Sequence, residues 1–127
     1  MKNLYEIVDK LANTPSINEK CEILEAEKEN LPLMNFFYYC LNPFVKFGVK
    51  QLPDVKPLEE SSLNLHADVI PLLQDLNERK LTGKKAINAV ASLMERMSKE
   101  EQFLLSCILQ KNPRCGIQSG LVNINNN

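Results

Sequence analysis

Apolar residues recur at spacings of three and four along most of this chain, and a proline or an Asn-Pro pair intervenes before any segment grows long. That combination commits the chain to short amphipathic helices. Leu4, Ile7, Val8 and Leu11 share one face of a helix over residues 3–13, which Asn13-Thr14-Pro15 ends. Ser16-Ile17-Asn18-Glu19 has the form of a capping box and opens a second helix reaching about Lys28. Pro32 fits the first turn of a third, through Phe36, Phe37, Tyr38, Tyr39 and Leu41. This third run is apolar nearly all round, which predicts a central place in the core.

Asn42-Pro43 breaks that helix. Phe44, Val45, Phe47, Val49 and Leu52 then predict a short fourth helix with Lys46 and Lys50 outside, a basic pair four residues apart. Residues 53–64 read as a loop, and Asp68 as the cap of a fifth helix burying Leu72, Leu73 and Leu76. Ala86, Ile87, Val90, Leu93, Met94 and Met97 form the inner face of a sixth. Ser98 to Glu101 is a second capping box, opening a seventh helix with Phe103, Leu104, Cys107 and Ile108 inward. Ile117, Leu121, Val122 and Ile124 suggest a short last one. The tail from Asn123 to Asn127 reads as a frayed end or a cut in a longer chain. No alternating strand pattern is assigned. The expectation is an all-α fold, a compact bundle of seven to eight short helices in one domain of 127 residues.

One helix start breaks the usual rule. Thr82 is a good N-cap, yet Arg79, Lys80, Lys84 and Lys85 surround it and no carboxylate lies between residues 79 and 85. A helix N-terminus carries roughly half a positive charge, so each nearby cation costs about 0.3–1 kcal/mol. The simplest compensation is a bound anion. First-turn amides, Gly83 allowing close approach and flanking lysines make a phosphate seat. Arg114 beside Cys115-Gly116 makes a second seat of the same kind, and Lys46 with Lys50 reach a further phosphate. By contrast, Glu100 and Glu101 sit where the dipole prefers acids. The bland reading is a solvated turn with scattered lysines.

Charge is distributed unevenly. Residues 1–64 hold seven lysines against ten acids, net −3, and residues 65–127 hold eight basic residues against six acids, net +2. A polyanion partner belongs to the second half. Four scattered cysteines without a CxxC pair, and His66 far from all of them in sequence, argue against a zinc site and for reduced thiols in the cytoplasm. There is no P-loop, GxGxxG or GxSxG motif, and no apolar run long enough for a membrane span.

Arg79-Lys80-Leu81-Thr82-Gly83, an amphipathic helix, a capped helix, then Arg114-Cys115-Gly116 resemble the N-terminal helical DNA-binding domain of phage-type ATP-dependent DNA ligases. The stretches Leu4 to Leu24 and Phe36 to Lys50, ending at Pro53, are similar to it too, so the resemblance spans nearly the whole chain. Lys111-Asn112-Pro113-Arg114 departs from the Asp-Leu that the family often places before the basic residue. The resemblance implies a grip on nicked double-stranded DNA through phosphates and across the minor groove, in replication or repair. It implies Thr82 and Gly83 as amide donors with Lys80, Lys84 and Lys85 as charge partners. Arg114, Gly116, Gln118 and Ser119 make the second contact, with Lys46 and Lys50 as further candidates. It implies a monomer, inactive alone, since the family's K-x-D-G lysine does not occur here. ATP and magnesium would belong to a downstream catalytic domain, followed by an OB domain, in the parent chain.

Two other readings stand beside this one. A helical protein-interaction module would dock a replication factor through the acidic face of Glu19, Glu22, Glu25 and Glu29. An enzyme would act through Cys115, its thiol activated by Arg114.

Overall fold

A computed structural model describes residues 1–118. Six α-helices follow one another: α1 (Lys2–Ala12), α2 (Ile17–Ala26), α3 (Leu31–Leu41), α4 (Ile70–Asn77), α5 (Gly83–Met94) and α6 (Lys99–Leu109), with a π-helical turn, Leu65–Val69, leading into α4. No β-strand occurs among the described residues. One isolated parallel bridge pairs Leu58 with Ser98.

Helices α1, α3 and α6 pack on one another, and α4 and α5 form a hairpin beside them. Helix α3 is central, as its nearly continuous apolar run predicts. Leu33, Phe36 and Phe37 have no exposed surface, and Leu104, Leu105 and Ile108 of α6 are equally buried. Each such side chain contributes roughly 1.5–3 kcal/mol of burial. Leu4, Val8 and Leu11 bury the expected stripe of α1. The box at the head of α6 is complete: Glu101 Oε1 accepts from the Ser98 amide at 2.9 Å and Ser98 Oγ accepts from the Glu101 amide at 3.3 Å.

Three local expectations need correction. The helix predicted over residues 44–52 does not form. Val45, Phe47 and Val49 are buried while Lys46, Gly48 and Lys50 are exposed, an alternation with the period of extended chain. Gly48 adopts a left-handed φ of +76°; Asn42 holds the Phe44 and Val45 amides in a turn, and the distant side chains of Asn77 and Gln110 bind the backbone at Lys46 and Lys50. Second, Asn64 and not Asp68 caps the helix leading into α4. Asn64 Oδ1 accepts from the Ala67 amide at 2.9 Å, and Asp68 Oδ2 accepts from the Asn64 amide at 2.7 Å. Pro71 has no N–H for the Ala67 carbonyl, and the wider π register sits just ahead of that gap. Third, Ile87 and Phe103 lie at the surface, 45% and 37% exposed. Ala86, Val90, Leu93 and Met97 set the buried line of the α5 segment, and Ile87 stands one residue off it. Residues 117 and 118 are not helical, and the rest of the expected last helix lies outside the described residues.

Candidate nucleic-acid interface

Helix α4 ends in a Schellman turn. The Lys80 amide donates to the Asp75 carbonyl at 2.9 Å and the Arg79 amide to the Leu76 carbonyl at 3.2 Å, with Arg79 at φ +62° where glycine is usual. The turn leaves Arg79 and Lys80 in solvent. Lys80 pairs with Glu78 at 3.3 Å, both well exposed, a contact of little energetic weight.

The chain then enters α5 through Thr82, which is extended and makes no side-chain capping bond. The hydroxyl therefore does not do what its position predicted. Serine or asparagine side chains cap α2, α3, the π-turn and α6. Helix α5 thus opens with its first amides lacking a side-chain acceptor and with no acid in the first turn. Gly83, at φ +57°, has nothing within 4 Å of where a Cβ would stand. Lys84 and Lys85 flank it, both exposed. Exposed first-turn amides of this kind are suited to an anion.

The extended segment 44–50 joins this turn to the other basic one. At one end the Lys46 amide donates to Asn77 Oδ1 at 2.9 Å, and the Arg79 guanidinium lies over Gly48. At the other, Gln110 Nε2 donates to the Lys50 carbonyl at 3.2 Å while Gln110 Oε1 accepts from Arg114. Lys46 and Lys50 are four residues apart, so at most about 14 Å of chain separates the two attachments. Lys46, Lys50, Arg79 and Arg114 thereby lie along one connected stretch of surface.

The second turn differs from the first. Helix α6 also ends in a Schellman turn, with the Asn112 amide on the Cys107 carbonyl at 2.9 Å and Lys111 at φ +58°. Lys111 does not face solvent. Its Nζ donates to the Tyr39 and Asn42 carbonyls, each at 2.7 Å, and stands 5.5 Å from the centre of the Phe47 ring. Burial lowers its pKa. Arg114, at φ +57°, is exposed and lies 5.8 Å over the Phe103 ring. Gly116 is exposed, but the Lys20 ammonium fills the space a Cβ would take, and Lys20 Nζ donates to the Cys115 carbonyl at 2.9 Å. So Gly116 does not offer the open approach that Gly83 does. Gln118 is exposed, and Ser119 lies outside the described residues.

Sequence reasoning missed Lys20, which reaches the second turn across 95 positions with no local signal. It also left the clamping role of Lys111 unassigned. The alternation Val45-Lys46-Phe47-Gly48-Val49-Lys50 was the overlooked signal for the connecting row.

Cys115 is buried and its thiol is pushed up to about 11, chiefly by burial. A buried thiol held protonated is a poor nucleophile, the opposite of the activated thiol that the cysteine-enzyme reading expects. Among the described residues no group of three or more His, Cys, Asp or Glu side chains is placed to hold a metal ion. None of the described helices is long and apolar enough to cross a membrane. Concavities beside Met1, lined by residues such as Lys2, Asn30, Glu59 and Ser61, contain none of the basic residues above.

No family model matches the chain, and no curated protein matches it. It is similar to two solved structures named Pmar-Lig_PreS3 and Pmar-Lig_Pre, ligase-related by those names. Identity is 32% to each, with TM-scores of 0.85 and 0.83, over 94% of this chain. The chain spans 28% of the length of each.

Proposed function

We propose that this chain binds nicked double-stranded DNA through its phosphate backbone and minor groove, as the N-terminal DNA-binding module of an ATP-dependent DNA ligase in replication or repair. On this reading it does not join DNA itself. The adenylated lysine, ATP and magnesium belong to a catalytic domain elsewhere in the parent chain.

The uncapped start of α5 carries the proposal. Among the described residues four helix starts use a Ser or Asn side chain as cap, while α1 and α4, like α5, have neither a side-chain cap nor an acid in the first turn. What α5 adds is a first turn that carries Lys84 and Lys85 beside Gly83, which has nothing within 4 Å of where a Cβ would stand. A phosphate supplies both the missing acceptor and the missing negative charge. The row Lys46–Lys50 joins the turn after α4 to the turn after α6, where Arg114 stands. Contacts of this type fix position on a duplex and read little sequence. The ligase-related similarity, covering nearly all of this chain, supports the same reading.

The test is fluorescence anisotropy with a labelled nicked duplex. Lys84→Glu with Lys85→Glu should abolish binding while circular dichroism stays unchanged. Retained affinity in the double variant would remove α5 from the interface.

A further inference from the structure

Phe44 is 87% exposed, the most exposed large apolar side chain among the described residues. Its neighbours show that the chain had a route to bury it, since Val45 and Phe47 are 5% and 3% exposed. The backbone that carries the ring is tied by three hydrogen bonds through Asn42. Asn42, itself buried, accepts from the Phe44 amide through Oδ1 at 2.9 Å, and its carbonyl accepts from the Val45 amide at 3.2 Å. The same carbonyl accepts from Lys111 Nζ at 2.7 Å, which ties the turn to the end of α6. Phe44 therefore stands on a rigid turn at the head of the outward row Lys46, Gly48, Lys50.

An exposed aromatic ring at the end of a cationic row fits one chemistry well. The cations follow the phosphates, and the ring meets a flat apolar surface between them, the face of a base. We propose that Phe44 is a wedge that stacks on a base of the bound duplex from within the groove. Proteins that grip the backbone on both sides of a groove insert apolar side chains of this kind between base steps. Stacking is indifferent to base identity, which suits a surface proposed to follow the phosphate backbone. The inference rests on the DNA-binding reading above.

The chain contains no tryptophan, so Phe44→Trp creates a single reporter of this contact. Titrated with a nicked duplex, its emission should be quenched in step with binding. Phe44→Ala should lose about tenfold in affinity, the scale of one base–aromatic stack, with an unchanged salt slope. Emission unchanged at saturating DNA, with wild-type affinity in Phe44→Ala, overturns the wedge, leaves the ring to a protein neighbour and leaves the phosphate grip standing. A wild-type protein that binds no duplex overturns the grip itself, and the wedge with it.

Discussion

The guanidinium of Arg79 lies over Gly48, in the space where a side chain at that position would begin. Thirty-one positions separate the two residues, yet this contact seats the outward lysine row against the turn that ends α4. A Cβ at Gly48 would stand 2.6 Å from Arg79 Nη1, and φ there is +76°. Gly48→Ala should therefore displace Arg79, a flexible side chain, and cost about 1 kcal/mol for the left-handed backbone. Urea unfolding measures the cost. DNA affinity should fall as well, because the row loses its seat.

Thr82→Asp separates a folding role from a binding role. A carboxylate here caps the free amides of α5 and matches its dipole, so stability should rise by about 0.5–1 kcal/mol. The same carboxylate occupies the phosphate seat and repels DNA. Higher unfolding midpoint with weaker binding is the expected pair of results. A plain solvated turn would give the first without the second.

Two basic residues hold the same strained position after a helix, with opposite consequences. Arg79 is exposed at φ +62°, so Arg79→Gly relieves the backbone and should leave stability unchanged or raised by up to about 1 kcal/mol. Lys111→Gly relieves the same strain but deletes two partly buried hydrogen bonds to the Tyr39 and Asn42 carbonyls. It should destabilise the fold by about 1–3 kcal/mol. Thermal melts of the two variants decide the comparison.

Burial raises the thiol pKa of Cys40, Cys107 and Cys115, the last to about 11 from an ordinary 9.0. The unfolded chain releases these protons first, so the stability they support is full below pH 9 and is lost as pH rises toward 11. Unfolding midpoints should fall across that window. Cys115→Ala should flatten the fall, although the cavity it leaves lowers stability at every pH.

Helices α1, α2, α3 and α6 were legible because their apolar spacing, capping boxes and prolines agree with one another. The segment 44–50 was not, because Phe44 and Leu52 complete a helical pattern that overlies a true alternation. Helix periodicity and strand periodicity share Val45 and Val49, and only the ties to Asn77 and Gln110 decide between them. The oddity of the α5 start was visible as charge without counter-charge. That Thr82 declines to cap was not, since its residue type favours capping. The cover of Gly116 by Lys20 arises from tertiary packing alone.

The central claim is that backbone amides and cations hold DNA phosphates, and the salt dependence of wild-type binding to a nicked duplex tests it most directly. Neutralising about five phosphates predicts a slope of about −4 to −5 for log affinity against log salt. A slope near zero, or no binding at low salt, would contradict the account.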